Sequence, residues 1–432
     1  MEKQVRVGLL GYGTVGTGVL KLIEGHQEEL RKQTGNEIAV KKVLVKNLEK
    51  EREYKINQKM LTENPWEVIN DPDIDVIIEV MGNIEPTFEY LMEALKQKKH
   101  IVTANKDLIA LHGGELLAQA SKYQCDFFYE ASVAGGIPII RALVEGFASD
   151  RITKLVGIVN GTTNYILSKM SEEGESFDKM LKKAQEMGYA EADPTSDIEG
   201  IDAARKMAIL SNLAFHMDVN LADVIVSGIT EVKEEDIKFG KQLGYEIKLL
   251  GTAKLNDNQI EVSVQPTMVV QDHPLAKVNG VYNAVYVYGE AVGETMFYGP
   301  GAGQLPTATA VVSDLVTVIK QMNLGVNGRG TIPPYRKKRI KSDELIAARY
   351  YIRLKVVDRI GVLAKITREF AEAMVSLQEM LQLPDEEDDK AQLILITHTT
   401  AKASLKNLIE RLNQLEVVEK INSIYPVEEG EN

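Results

Sequence analysis

The stretch VRVGLLGYGTVG, residues 5–16, decides how the chain is read. Residues 5–10 are a short apolar run ending in glycine, the pattern of a strand buried on both faces. Gly11, Gly13 and Gly16 follow with G-x-G-x-x-G spacing where a helix is expected to open. Each glycine answers a steric need. Gly11 permits the tight turn, Gly13 lets backbone approach a pyrophosphate, and Gly16 lets the helix lie close on the strand. Thr14 and Val15 begin the helix, whose unpaired N–H groups and partial positive charge suit an anion. The spacing alone also fits a turn with no ligand. The strand before it and the helix after it favour a dinucleotide.

Working outward, apolar runs alternate with helical periods. The pattern predicts a helix over 14–31, strands over 38–45, 76–80, 101–103 and 127–130, and helices over 86–97 and 107–123. Alternation of this kind implies right-handed crossovers and a parallel sheet, a Rossmann-type nucleotide-binding domain over 1–150. From residue 151 the character changes. A strand over 152–159, helices over 165–170, 177–187 and 200–215, and strand-like runs over 247–253, 260–266 and 281–288 read as an α+β catalytic and dimerisation domain, 151–324. Its open sheet is expected to pair with a second subunit. The glycine-rich YGPGAGQLP, residues 298–306, leads into a helix over 307–322 expected to return and complete the nucleotide domain. Residues 325–348 read as a linker, with a Pro-Pro pair and the basic run RKKRIK at 336–341 as a solvated tether, the alternative being a phosphate or partner site. Residues 349–432 run strand, helix, strand, strand, helix, strand, a βαββαβ module. The class is α/β.

Composition narrows the function classes. At 432 residues, 44% hydrophobic and 26% charged, the chain reads as folded and too long for one core. A net charge of −13 argues against nucleic acid, whose phosphates need a basic face. Cys125 is the single cysteine, which excludes an intrachain disulfide and a thiolate metal cluster, and the six histidines lack zinc spacing. The first strand begins within a few residues of Met1, leaving no room for a signal peptide, and no apolar run nears the ~18 residues of a membrane helix. A cytoplasmic protein with no membrane or nucleic-acid partner is expected.

The cofactor is read at the second strand's end. NAD sites usually place Asp or Glu there for the ribose 2′-hydroxyl. This strand ends Val45, Lys46, Asn47, with Arg52 nearby and no carboxylate in that place. Lys46 suits a 2′-phosphate, so NADP is favoured over NAD; the alternative is a solvated strand end. The TANK run, 103–106, falls at the C-terminal end of a buried strand, where open α/β sheets place ligands. Lys106 is there either as a functional amine or as the start of the next helix. A denser signal is AQEMGYAEADPTSDIEGIDAARK, residues 184–206. Asp202 and Lys206 are i and i+4 and share a helix face. Glu191, Asp197 and Asp202 thus fall near one lysine, a pattern that spacing alone also explains as a surface ion-pair ladder.

The segment 184–206 resembles the signature of homoserine dehydrogenases, A-x3-G-[apolar]-[small]-x2-D-P-x2-D-[apolar]-x-G-x-D-x3-K, at every defined position. Further blocks resemble the same family: TANK at 103–106, EASVAGGIP at 130–138, NGTTN at 160–164 and GPGAG at 299–303. The resemblance spans essentially the whole chain. It implies interconversion of L-homoserine and L-aspartate 4-semialdehyde with NADP or NAD, in threonine, methionine and isoleucine biosynthesis. It implies Lys206 as proton donor and acceptor with Lys106 beside it. It implies Glu191, Asp202 and Thr162 at the substrate with Asp197 in support, and Thr103, Lys106, Gly188, Gly301 and Gly303 at the cofactor. Glu130, with the backbone carbonyls of Val133, Gly135 and Ile137, would hold a monovalent cation such as Na+. Without the resemblance, Glu130 reads as a strand-end carboxylate capping the following turn.

VDRIGVLAKI, residues 357–366, resembles the strand–loop–helix of ACT domains, which bind amino acids at paired interfaces. Most members carry Pro where this chain has Ile360; Gly361 is retained. The acidic PDEEDD, 384–389, reads as a solvated hairpin loop. The resemblance implies feedback regulation by L-threonine and a homodimer or homotetramer. The alternative is a dimerisation module without a ligand.

Overall fold

Six parallel strands carry the glycine loop. In the computed structural model, which describes residues 4–328, 334–385 and 387–430, their order is Leu61–Thr62, Glu37–Leu44, Gln4–Leu10, Val76–Glu79, His100–Thr103, Phe127–Phe128. Val5, Val7 and Leu9 are buried in the middle of this sheet, as a strand covered on both sides requires. Parts of the expected linker (329–333), of the acidic loop (386) and of both ends (1–3 and 431–432) lie outside the described residues. The chain divides into two compact units, each discontinuous in sequence. One comprises residues 1–155, 204–224 and 283–338; the other comprises 156–203, 225–282 and 339–432.

In the first unit the helix Gln304–Leu324 packs on Thr14–Gly25. A Cβ on Gly18 would lie 2.4 Å from the Gln304 carbonyl and 2.8 Å from the Ala308 Cβ, so only glycine permits this approach. Val311, Leu315, Val318 and Ile319 then join Val5, Val7, Val19 and Ile23 in one apolar cluster. Each such side chain contributes roughly 1.5–3 kcal/mol by leaving water.

Three local readings differ from the structure. The helix expected over 14–31 is two, Thr14–Gly25 and Gln27–Thr34, because the chain leaves helical geometry at His26 (φ −118°, ψ 30°) directly after a glycine. The strand expected over 127–130 stops at Phe128. There the Glu130 amide donates to Asp314 Oδ2 (2.9 Å) and a 3-10 turn, Glu130–Ser132, begins. The helix expected to start at 165 starts at Gly161, capped by Asn160. A strand without apolar alternation, Gly293–Pro300, was also not expected.

In the second unit Tyr245–Asn256 and Gln259–Val270 form an antiparallel hairpin in continuous register. Asp257 and Asn258 turn it with positive φ at both positions (49° and 59°), the geometry that matches strand twist. The C-terminal module has the βαββαβ order read from sequence. Its antiparallel strands lie Val418–Glu428, Ala347–Val357, Lys390–Thr397, Leu377–Pro384. Tyr350, Ile352 and Leu354 face the helices Val362–Glu372 and Lys402–Leu412 in an apolar core. Tyr351 and Arg353, on the alternate face, reach Asp236 of the helix Glu234–Gln242. Met268 and Val269 pair in parallel with Val427 and Glu428, so the module's last strand also extends the hairpin's sheet.

The basic run is not a solvated tether where it is described. Lys338 pairs with Asp223 (2.7 Å), Lys341 with Glu261 (3.1 Å), and Ile340 bridges Ile260. The acidic loop is the solvated hairpin connection expected, with Glu387, Asp388 and Asp389 exposed, and its surface ion pairs are Lys355 with Asp385 (3.3 Å) and Glu387 (2.7 Å), and Lys390 with Glu387 (2.7 Å).

Candidate active site

The glycine loop has the steric form its spacing implied. Gly11 adopts φ 109°, and a Cβ there would sit 2.9 Å from the Val80 carbonyl. A Cβ on Gly16 would sit 2.2 Å from the Gly11 carbonyl, a contact no other residue survives. Nothing lies within 4 Å of a Cβ placed on Gly13, so the face beside it is open. Thr14 and Val15 open the helix, and no side chain caps its first amides. The loop therefore fits a pyrophosphate, with free amides beneath an open approach.

The neighbouring strand ends are fixed by buried polar bonds. Thr103 Oγ1 donates to Glu79 Oε2 (2.6 Å), and the Asn105 amide donates to Thr103 Oγ1 (3.0 Å). Glu79 also accepts from the Met81 amide (2.6 Å), and burial pushes its carboxyl above the usual carboxylate range. Asn105 caps the helix Lys106–Tyr123 by accepting from the Leu108 amide (3.1 Å). Lys106 is thus the first residue of a rigidly started helix and is half-buried.

At the second strand's end Lys46 is exposed. Arg52 donates to the Asn47 carbonyl (2.8 Å) and the Lys50 carbonyl (2.8 Å), and its guanidinium lies 5.0 Å from the centre of the Tyr12 ring. Tyr12 sits between Gly11 and Gly13, so Arg52 belongs to the loop's surroundings. Sequence reading noted its nearness but not this stacking.

Lys206 is half-buried on the helix Ile201–Phe215, one turn after Asp202. Arg205, next to Lys206, forms an ion pair with Asp107, next to Lys106 (3.3 Å). The two lysine-bearing helices are therefore in contact at the residues adjoining both lysines.

The second unit gathers the carboxylates. Asn160 Nδ2 donates to Asp197 Oδ1 and to Asp202 Oδ2, both at 2.8 Å. Its Oδ1 accepts from the Thr163 amide and hydroxyl, both at 2.9 Å. One buried amide thus caps the helix Gly161–Glu173 and spaces two carboxylates. Thr162 Oγ1 donates to the Tyr189 carbonyl (2.7 Å), which places it beside Gly188, an exposed residue at φ 75°. Glu191 is exposed, and its carbonyl accepts from Gln185 Nε2 (3.1 Å). Asn160 was missed, although an Asn one residue before Gly-Thr-Thr is a helix-start signal.

Glu130 is 4% exposed and its oxygens accept from the Ile140 and Arg141 amides, both at 2.8 Å. The carboxylate thus caps the short helix Ile139–Arg141, ten residues on, and not the turn directly after the strand. Gly135 (φ 48°) leaves so little room that a Cβ would meet the Gly301 carbonyl at 2.4 Å. Gly301 in turn packs on the Asn283 side chain, and Gly303 begins the helix Gln304–Leu324. Among the described residues no group of three His, Cys, Asp or Glu is placed to hold a metal ion. The donor set at Glu130, Val133, Gly135 and Ile137 is instead one carboxylate and backbone carbonyls, hard oxygens that fit an alkali cation. A carboxylate has lone pairs beyond the two amides.

Comparison with known proteins identifies the family. Residues 11–130 match the family model described as the homoserine dehydrogenase NAD-binding domain, residues 138–316 that of homoserine dehydrogenase, and residues 350–417 that of the ACT domain. The chain is 55% identical to a homoserine dehydrogenase of Bacillus subtilis over 427 residues, 99% of each chain. The crystal structure of a homoserine dehydrogenase from Thiobacillus denitrificans superposes with a TM-score of 0.92 at 41% identity, covering 99% of both chains. That of S. aureus homoserine dehydrogenase superposes at 0.80 with 38% identity, covering 99% of this chain and 100% of the other. With a dinucleotide loop, two lysine-bearing helices joined by an ion pair and an amide-spaced carboxylate pair, the chain belongs to the homoserine dehydrogenase family of NAD(P)-dependent oxidoreductases, in the form that carries a C-terminal ACT domain.

Proposed function

We propose that Lys206 and Lys106 serve the proton transfer by which this chain interconverts L-homoserine and L-aspartate 4-semialdehyde. The Arg205–Asp107 pair, which joins the helices bearing both lysines, carries this reading. The nicotinamide, when bound, takes up or delivers the hydride. The chain's residues do the rest. Lys206 removes the hydroxyl proton as the C–H electron pair departs, and returns a proton to the carbonyl oxygen in the reverse direction. Lys106 lies beside it. Glu191, Asp202 and Thr162 hold the substrate, with Asp202 and Asp197 kept in place by Asn160.

Gly11, Gly13, Thr14, Val15 and Gly16 seat the pyrophosphate; Thr103, Lys106, Gly188, Gly301 and Gly303 line the rest of the cofactor site. Lys46 and the stacked Arg52 support NADP over NAD, because two cations stand where an NAD site keeps a carboxylate. Glu130 with the carbonyls of Val133, Gly135 and Ile137 holds a monovalent cation, Na+ by preference. The ACT domain supports L-threonine as effector, acting in a homodimer or homotetramer of the threonine, methionine and isoleucine pathways. Residues 1–150 with the helix over 307–322, 151–324, 325–348 and 349–432 are the working domain divisions. Among the described residues no helix is long and apolar enough to cross a membrane, which supports a cytoplasmic site of action.

Following reduced-nicotinamide absorbance with aspartate semialdehyde tests this reading. NADPH should be oxidised faster than NADH, and L-threonine should slow the reaction. Lys206→Ala should lose about 10²–10⁴-fold in kcat with an unchanged unfolding temperature. Full activity in that variant would remove Lys206 from the proton step.

A further inference from the structure

The inner strand Val76–Glu79 of the parallel sheet ends on a carboxylate that neither the substrate nor the cofactor assignment uses. Glu79 is in register with Leu10 on one side and Thr103 on the other. Three loops therefore leave the sheet abreast of it: the glycine loop after Leu10, residues 80–83, and the turn after Thr103. Open parallel sheets bind their ligands at this end. The side chain itself is 0% exposed.

Its two oxygens reach different loops. One accepts from the Met81 amide (2.6 Å) and the Gly82 amide (3.3 Å). The other accepts from the Thr103 hydroxyl (2.6 Å), whose oxygen takes the Asn105 amide (3.0 Å). Asn105 Nδ2 then donates to the Asn83 carbonyl (2.8 Å), which returns the path to the loop it left. The result is a closed circuit through Glu79, Thr103, Asn105 and Asn83. It ties the 81–83 loop to the first turn of the helix that starts with Lys106. The same loop backs the glycine turn, because the Val80 carbonyl lies 2.9 Å from where a Gly11 Cβ would go. Burial pushes the Glu79 carboxyl upward, the mark of a costly placement. What that placement secures is not the sheet, whose strands already pair through backbone, but the spacing of the loops that leave it.

We propose that Glu79 is a positioning residue for hydride transfer. Through this circuit it holds the start of the Lys106 helix and the cofactor-lining Thr103 at a fixed distance from the glycine turn. The inference rests on the assignment of Lys106 and Thr103 made above. Glu79 touches neither reactant, so its effect falls on the seating of the nicotinamide and on the rate of the chemical step. Binding of the amino-acid substrate draws on Glu191, Asp202 and Thr162 and is left alone. A misplacement of about 1 Å at a reacting pair costs roughly 10²-fold in rate, and opening a circuit that stays closed elsewhere should cost less.

Glu79→Gln tests this: it is nearly isosteric, but its nitrogen cannot accept, so the circuit opens on one side. NADPH affinity, read by the nucleotide's own fluorescence, should weaken about tenfold. With aspartate semialdehyde, kcat should fall about tenfold and KM for the semialdehyde should stay within about twofold. Asn105→Ser keeps a capping hydroxyl for the helix but does not reach the Asn83 carbonyl. It should give the same pattern, and it carries the test should Glu79→Gln fail to fold. The double variant should lose no more than the worse single, because both open one circuit. A merely structural Glu79 would lower the unfolding temperature and leave NADPH affinity and kcat per folded chain unchanged. That result, a rise in KM for the semialdehyde alone, or additive losses in the double variant overturns the proposal. A parent chain that does not reduce the semialdehyde removes the dehydrogenase reading and this proposal with it, whereas an active parent with an indistinguishable folded Glu79→Gln variant removes Glu79 alone.

Discussion

Asp236 and Asp314 are both fully buried carboxylates on helices, yet they are solvated by the protein in opposite ways. Asp236, in the second unit, accepts from Arg353 Nε (2.6 Å) and Nη2 (3.3 Å), from Ser423 Oγ (2.5 Å), and from the Tyr425 (3.2 Å) and Tyr351 (3.3 Å) hydroxyls. A buried cation and three hydroxyls replace its water. Asp314, in the first unit, has the Glu130 amide (2.9 Å) and one half-exposed arginine (3.0 Å), with the Glu130 carboxylate nearby. Burial, reinforced by Glu130, pushes it up to about 7. A saturated carboxylate is a fastener, whereas an undersupplied one stays poised between protonation states and open to a further donor.

The largest expected effect comes from emptying the saturated cluster. Asp236→Ala leaves the Arg353 charge buried without its partner and should cost ~3–5 kcal/mol in denaturant unfolding. A loss below about 1 kcal/mol, the scale of an exposed ion pair, would put the two carboxylates in one class. Asp314→Asn should act through pH. A carboxyl with a raised folded pKa contributes stability that is fully present below its unfolded value near 3.8 and is lost as pH rises through about 7. The rise corresponds to a few kcal/mol, ~4 at most. Unfolding temperatures of the parent should therefore fall relative to Asp314→Asn between pH values of about 4 and 7; parallel curves would show that Asp314 does not titrate there. The smallest effect extends the comparison to the pair spaced by Asn160. Asn160→Ala should cost about tenfold in kcat/KM for homoserine and ~1 kcal/mol of stability through the lost helix cap. An unchanged kcat/KM with the stability loss intact would make Asn160 a cap alone.

What the sequence revealed follows the range of the interaction. The roles of Gly11 and Gly16 were legible because the atoms that exclude a side chain are a few residues away or on the adjoining strand. The βαββαβ order was legible from periodicity within one module. Asp236 was not, because its partners lie more than a hundred residues on and only the alternation of Tyr351 and Arg353 places them on the facing side. Asn160 was within reach: its cap is local, but the NGTTN block drew attention to Thr162. The break at His26 was signalled by Gly25 and outweighed by the apolar period around it.

The parallel pairing of Met268 and Val269 with Val427 and Glu428 gives the chain's end a load to bear. The strand that closes the small module is also a rib of the larger hairpin's sheet, so the module is woven in rather than hung on. Cutting the chain before residue 349 would strip that rib and bare the edge of the Gln259–Val270 strand at Met268 and Val269, a short open ladder that invites self-association. Single side-chain substitutions inside the module leave that rib in place, and so separate any ligand-binding role from the integrity of the sheet.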